Sequence, residues 1–171
     1  MIAIREGGLD TPAVQALLAL HARGMLASSP AESCHFLDLS GLKAPEIRFW
    51  SAWDADAPDA ALAGVGALKR IDARHGEVKS MRTAPTHLRR GVAAALLAHI
   101  IAAAAGMGIA RLSLETGDGP GFAAAHALYC RFGFEPCPAF GDYPADDRFS
   151  RFFTRRIGPD AAPLSPAAAL V

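Results

Sequence analysis

The spacing of hydrophobic and polar positions changes several times along the chain, and each change predicts an element. Residues 2–5 alternate as a short strand. Thr11-Pro12 has the form of an N-cap followed by proline at the first helical position. Val14, Leu17, Leu18 and His21 then share one helical face, until Ser28-Ser29-Pro30 breaks the pattern. Residues 31–38 read as a second helix or a loop. Residues 46–53 predict a strand and 54–59 its turn. Another strand covers 60–71, where Gly64 and Gly66 mark a bulge or a close backbone approach. A turn at 72–76 leads into the strand at 77–83, ended by Pro85. His87-Leu-Arg-Arg-Gly-Val-Ala93 then opens an alanine-rich helix reaching Met107, followed by a strand at 109–116. The loop Gly117-Asp-Gly-Pro-Gly121 introduces a helix from about 122 to 131. Residues 132–134 turn into a short strand, and 149–157 supply the last one. Antiparallel strands first and βαβα units later predict an α/β (α+β) sheet with helices on both faces. Residues 1–157 are expected as a single domain, and the proline-containing stretch 158–171 as a flexible tail.

Composition narrows the class. At 171 residues the chain can bury a substantial core, and 51% hydrophobic with 20% charged residues is ordinary for a soluble globular protein. Lys plus Arg equals Asp plus Glu, 17 each, so no global field steers the protein to nucleic acid or to an anionic membrane. The N-terminal residues lack signal-peptide features, and no apolar run approaches the ~20 residues that cross a bilayer. Cys34, Cys130 and Cys137 are odd in number and form no metal-spaced cluster, which suits a reducing compartment. The expectation is a cytoplasmic protein with no metal, no nucleic-acid partner and no membrane partner.

The candidate chemistry lies between residues 77 and 116, where a strand, a basic glycine turn and a helix N-terminus form a ready anion site. A Walker A loop is excluded, because none of Lys43, Lys69 and Lys79 follows a glycine. Gly106-Met-Gly108 follows a helix rather than preceding one, and Gly117-x-Gly119-x-Gly121 has the wrong spacing for a dinucleotide fingerprint.

What remains, Leu88-Arg-Arg-Gly91-Val-Ala93, resembles the acetyl-CoA turn of the GNAT N-acetyltransferases, Gln/Arg-x-x-Gly-x-Gly/Ala. Leu88 departs from the first position. The run Phe122-Ala-Ala-Ala-His-Ala-Leu-Tyr129-Cys-Arg-Phe-Gly-Phe134 resembles the late helix of the same family, Ala-x-x-Leu-Tyr-x-x-x-Gly-Phe, with Phe122 where most members carry asparagine. Glu77-x-Lys-Ser-Met-Arg-Thr, Leu114-Glu-Thr-Gly117 and Phe140-Gly-Asp-Tyr143 look like a bacterial YsnE-like subgroup. The resemblance implies a mixed, mostly antiparallel twisted sheet of six to seven strands, and transfer of an acetyl group from acetyl-CoA directly to a primary amine of a small molecule or protein. The competing reading is a catalytically silent acyl-CoA binder.

On this resemblance, main-chain groups of Leu88, Arg89, Arg90, Gly91, Val92, Ala93 and Ala94 cradle the pyrophosphate, and Gly91 keeps a side chain out of its way. Met81, Arg82 and Thr83 hold the pantetheine arm like an added strand, and Phe122 flanks the cofactor. Glu77 is the first candidate base, with pairing to Lys79 as its structural alternative, and Glu115 is the second. Tyr129 is the candidate acid that protonates the departing thiolate, while Cys130 beside it faces another way on the helix. Simple alternation puts Glu77, Lys79, Met81 and Thr83 on one face and Val78, Ser80 and Arg82 on the other. Lys79 and Arg82 in so central a strand are costly unless paired or functional; Arg82 could meet a cofactor phosphate, a substrate carboxylate or a salt-bridge partner. The acceptor side is expected at residues 28–36 and 140–143, with His35, Lys79 and Tyr143 as substrate-side residues. His87 is expected at the pyrophosphate turn, and His99 and His126 have no partner visible in sequence. The C-terminal strand is a candidate edge for pairing with a second copy as a homodimer.

Overall fold

A computed structural model describes residues 1–28, 30–57 and 60–158. Seven strands run β1 (Ile2–Glu6), β2 (Ile47–Asp54), β3 (Ala61–Arg70), β4 (His75–Thr83), β5 (Arg111–Gly117), β6 (Glu135–Pro136) and β7 (Ser150–Arg156). Four α-helices join them: α1 (Pro12–Ser28), α2 (Leu39–Leu42), α3 (Val92–Gly106) and α4 (Ala123–Arg131). The strands form one sheet in the order β1-β2-β3-β4-β5-β7-β6. Every neighbouring pair is antiparallel except β4 and β5, which are joined through α3 and lie parallel. A βαβ crossover requires that arrangement, so the predicted mixed sheet with helices on both faces is the one observed.

Two apolar layers flank the sheet. Val14, Leu17 and Leu18 of α1 pack with Leu42, Phe49, Val65 and Ala67 on one face. Leu96, Leu97, Ile100 and Ala104 of α3 pack with Trp50, Leu68, Val78, Leu112 and Leu114 on the other, and Tyr129, Phe134 and Phe153 belong to this second cluster. Alanine supplies helix propensity in α3 at no side-chain entropy cost, and the leucine and isoleucine positions supply the buried stripe.

Three features of the sheet position the site. First, β4 and β5 pair only at His75–Arg111, Gly76–Leu112 and Glu77–Ser113; among the described residues the ladder stops there, and the two strands leave a gap beyond it. Second, the register between β3 and β4 slips between Val65–Arg82 and Ala67–Lys79, leaving Ser80 and Met81 opposite Gly66. Ser80 takes a left-handed φ of 54° at this bulge. The slip overturns the simple alternation. Lys79 and Arg82 both pair with residues of the α1-side layer, whereas Met81 and Thr83 turn to the α3 side. Third, Gly64 and Gly66 allow α3 and β4 to approach β3 closely. A Cβ on Gly64 would lie 2.9 Å from both the Arg82 carbonyl oxygen and Val92 Cγ1. Gly64→Ala is expected to cost about 1–3 kcal/mol in urea unfolding, because main chain cannot give way as a side-chain tip can. An unchanged midpoint would contradict that close approach.

Other expectations shift in detail. Residues 31–38 hold only a 3₁₀ turn at Ala31–Ser33, and α2 follows, with Asp38 accepting from the Gly41 N–H at 2.7 Å. The alanine-rich helix starts at Val92 rather than near His87, because Pro85–His87 forms a separate 3₁₀ turn and two left-handed residues intervene. On the side away from β5, the last strand β7 pairs with β6 only at Phe153 and Thr154. The predicted tail lies outside the described residues apart from Gly158. Among the described residues no helix is long and apolar enough to cross a membrane.

Candidate functional site

The gap between β4 and β5 opens into a cleft of about 750 Å³. One wall is the turn before α3. Arg89 (φ 59°) and Gly91 (φ 77°) are both left-handed, and Gly91 caps α3 without any side-chain cap bond. Left-handed residues at alternate positions turn successive N–H groups inward, and the uncapped first turn adds its own donors and the helix dipole. Leu88, Arg89, Gly91, Val92, Ala93 and Ala94 all line the cleft, and their small first-turn side chains leave the main chain accessible. Arg90 does not: its guanidinium turns away to donate to Asp54 Oδ2 at 2.8 Å. His87 is buried, with Nε2 3.4 Å from the same carboxylate, so Asp54 pins the turn from behind.

The second wall holds the candidate base and acid. Glu115 lines the cleft and accepts a 2.6 Å bond from Ser150 Oγ, rather than capping the loop at Gly117 or pairing with an arginine. Burial raises its pKa, and the Ser150 bond offsets that only in part. Tyr129 faces the same cleft at 7% exposure, in edge contact with Phe134, and its hydroxyl bonds to no other described residue. Burial, with the charge of Glu115 added, pushes its pKa up to about 12. Phe122 lies over Gly117, where a Cβ would come within 2.3 Å of its ring.

Glu77 is placed differently from a free base. It is 3% exposed and accepts from Lys79 Nζ at 2.9 Å and from Tyr143 Oη at 2.5 Å. Lys79 Nζ also donates to Tyr143 Oη at 2.7 Å. Glu77 therefore pairs with Lys79, and it is Glu115 that reaches the cleft. Burial first, then the charge of Glu77 and its bond, push the Tyr143 pKa well above the ordinary phenol value. His35 lines the cleft, edge-on to Tyr143 with centroids 4.9 Å apart, and its Nε2 lies 3.4 Å from Asp147 Oδ2. Asp147 also accepts from Ser33 Oγ at 3.1 Å and from the Phe149 N–H at 2.9 Å, tying the turn at Ser33 to the segment before β7. Burial works against its charge, but these bonds outweigh it and hold its pKa below the ordinary value. Among the described residues no group of three or more His, Cys, Asp or Glu side chains is arranged to hold a metal.

The model of the acetyltransferase (GNAT) family matches residues 15–134. The chain belongs to the GNAT family. It is 51% identical over 154 residues to the uncharacterized N-acetyltransferase YedL of Escherichia coli, covering 90% of this chain and 94% of that protein. It is 50% identical over 144 residues to the uncharacterized N-acetyltransferase YsnE of Bacillus subtilis, covering 84% and 92%. Its fold matches that of a GNAT family acetyltransferase from Elizabethkingia anophelis with acetyl-CoA bound, with a TM-score of 0.63, 17% identity, and coverage of 91% of this chain and 98% of that one. The protein is an acetyltransferase of this family.

Set against that membership, this GNAT chain brings most of the sequence-nominated residues to one cleft: Met81, Arg82, Thr83, Leu88, Arg89, Gly91, Val92, Ala93, Ala94, Phe122, Glu115, Tyr129, Lys79 and His35. It leaves Arg90 facing Asp54, buries Glu77 behind Lys79, and sets Tyr143 between them. Sequence reasoning missed Ser80, Asp54, Asp147 and Ser150. His21 could have been found, since it shares the face of Val14, Leu17 and Leu18 and lies one turn further on. Asp147 could not, because its bond to Ser33 spans 114 positions. His126 gains a partner that sequence did not reveal, the Gly117 carbonyl at 2.9 Å, and His99 packs edge-on against Trp50.

Proposed function

We propose that this GNAT protein moves the acetyl group of acetyl-CoA directly to a primary amine. The observation that carries the reading is the unpaired edge of β4, running past Glu115 and Tyr129 to an uncapped, glycine-led helix N-terminus. The cleft fits the donor on two further counts. Its first-turn residues are small, and Ser80 Oγ is buried at the β4 bulge without a hydrogen-bond partner among the described residues. The N–H groups of residues 89–94 would hold the pyrophosphate, the main chain of Met81, Arg82 and Thr83 the pantetheine arm, and Phe122 would form a wall beside it.

Acetyl-CoA, when bound, supplies a thioester carbonyl for the amine to attack and a thiolate to depart. The protein must remove one proton and provide another. An alkyl amine with a pKa of about 10.4 is neutral in only ~1 molecule in 2,500 at pH 7, so a base in the cleft is useful. Glu115 takes this role, because its carboxylate faces the cleft and burial makes it more basic than an ordinary glutamate. Tyr129 keeps its proton until about pH 12 and is the donor for the leaving sulfur. Glu77 serves Lys79 and Tyr143 instead, fixing the acceptor side.

The pH dependence follows from the direction of the Glu115 shift. A raised carboxylate pKa keeps the base protonated at low pH, so kcat/KM should rise with pH through a value above the ordinary glutamate range. Glu115→Gln should remove that acid limb; a limb unchanged in the variant would assign it elsewhere. The reading as a whole is tested by acetyl-CoA binding and CoA release over a panel of amines. Turnover with at least one amine supports it. Binding without turnover by any amine favours the silent acyl-CoA binder.

A further inference from the structure

Arg82 is half-buried in the cleft with its charge unanswered. Its guanidinium makes no hydrogen bond or ion pair with any other described residue, and its Nε is buried without a partner. Such a group is costly to keep unless something completes it. Its direction shows where that partner must come from. Arg82 pairs with Val65, which packs against α1, and an ideal Cβ on Gly24 of α1 would sit 3.6 Å from Arg82 Nη1. Thr83, the next residue, pairs with Gly64, whose missing Cβ points at Val92 and Leu96 of α3. The guanidinium is thus on the α1 face, while the anion-binding turn belongs to α3 on the opposite face. Gly24 leaves room for a ligand atom beside it.

The surrounding charges set the kind of anion. Lys79, the neighbouring cation, is neutralised by Glu77 at 2.9 Å. His21, on α1, is pushed down to a pKa of about 4 by burial and then by the charge of Arg82, so it is neutral at physiological pH. Arg89 and Arg131 also line the cleft, but at the α3 turn and on α4; beside α1 the unpaired cation is Arg82, and its single planar fork suits a monoanionic carboxylate.

We propose that Arg82 anchors a carboxylate on the acceptor, so that the protein acetylates amino acids or other amino carboxylates in preference to plain amines. The inference rests on the acetyl-transfer reading above. It assigns Arg82 to the acceptor rather than to a donor phosphate.

The test is a matched acceptor set: α-amino acids, the corresponding amines lacking the carboxylate, and the corresponding aminophosphonates. Wild-type kcat/KM should favour the carboxylates over the amines by about 100-fold, as expected when a charge-assisted bidentate contact is lost. In Arg82→Met that ratio should fall close to one, the loss appearing in the acceptor KM and not in the KM for acetyl-CoA. Arg82→Lys, which keeps charge but not the fork, should recover only part of the ratio. Arg82→Met should fold, with a thermal midpoint equal to or above wild type, because it removes an unpaired half-buried charge. Equal wild-type activity on amines and carboxylates overturns the proposal, as does a preference for phosphonates or a variant effect confined to acetyl-CoA. Thermal stabilisation of the wild-type CoA complex by the same compounds separates this inference from the one beneath it. Stabilisation by amino carboxylates alone, without turnover, upholds the Arg82 site and defeats acetyl transfer. Equal or absent stabilisation by all three classes defeats the Arg82 site whatever the turnover.

Discussion

Replacing Tyr129 with phenylalanine is expected to lower kcat by about 10²–10⁴-fold, the range associated with removing a positioned acid. Acetyl-CoA affinity and thermal stability should stay close to wild type. The hydroxyl bonds to no other described residue, so its removal strands no partner and opens no cavity among the rings of Phe134 and Phe153. A hydroxyl that faces the cleft without a partner among the described residues does little for the fold, so its loss should register in the rate rather than in the melting curve. Its pKa of about 12 adds a check: no basic limb from Tyr129 should appear below about pH 11 in the wild-type rate profile. Steady-state kinetics paired with a melting curve measures both. A variant that turns over at the wild-type rate would remove Tyr129 from the mechanism.

The second large effect separates the two carboxylates. Glu115→Gln should reduce kcat by about 100-fold or more at neutral pH while leaving the fold intact, since glutamine can still accept from Ser150. Glu77→Gln should act first on stability, by about 3–5 kcal/mol, because it leaves Lys79 buried without its counter-ion. Both members of that pair are nearly closed to solvent, at 5% and 9% side-chain exposure, so water cannot replace the lost partner. Chemical denaturation and kcat on the two variants give the comparison. Loss of kcat in Glu77→Gln with stability retained, together with an active Glu115→Gln, would reverse the assignment.

The legible part of this protein was local. The order of strands and helices follows from periodicity, and the α3 turn follows from a basic glycine sequence ahead of an alanine-rich run. The α1 N-terminus at Thr11-Pro12 was legible for the same reason. The bulge at Ser80 was not, because nothing in Lys79-Ser-Met-Arg82 forces a left-handed serine; it arises where Gly66 lets two residues of β4 share one partner. That single slip moves Arg82 to the α1 face and Met81 to the α3 face, reversing the simple alternation. The engagement of Glu77 was half legible. Lys79 two positions along the strand was a visible partner, but Tyr143 lies 66 positions away and joins through tertiary contact alone. Glu115 and Tyr129 met in one cleft because β5 stops pairing with β4 after Ser113. That splay depends on the crossover as a whole, and no short motif carries it.

Titration of acetyl-CoA into wild type and into Gly91→Ala by isothermal calorimetry tests the account at its centre. Gly91 holds φ at 77°, where alanine is strained by about 1–2 kcal/mol, enough to distort the turn without unfolding the chain. One acetyl-CoA should bind per wild-type chain, with an affinity at least ~10-fold weaker in a folded Gly91→Ala, equivalent to about 1.4 kcal/mol. No binding by wild type, or equal affinity in both proteins, would contradict a donor site at the head of α3.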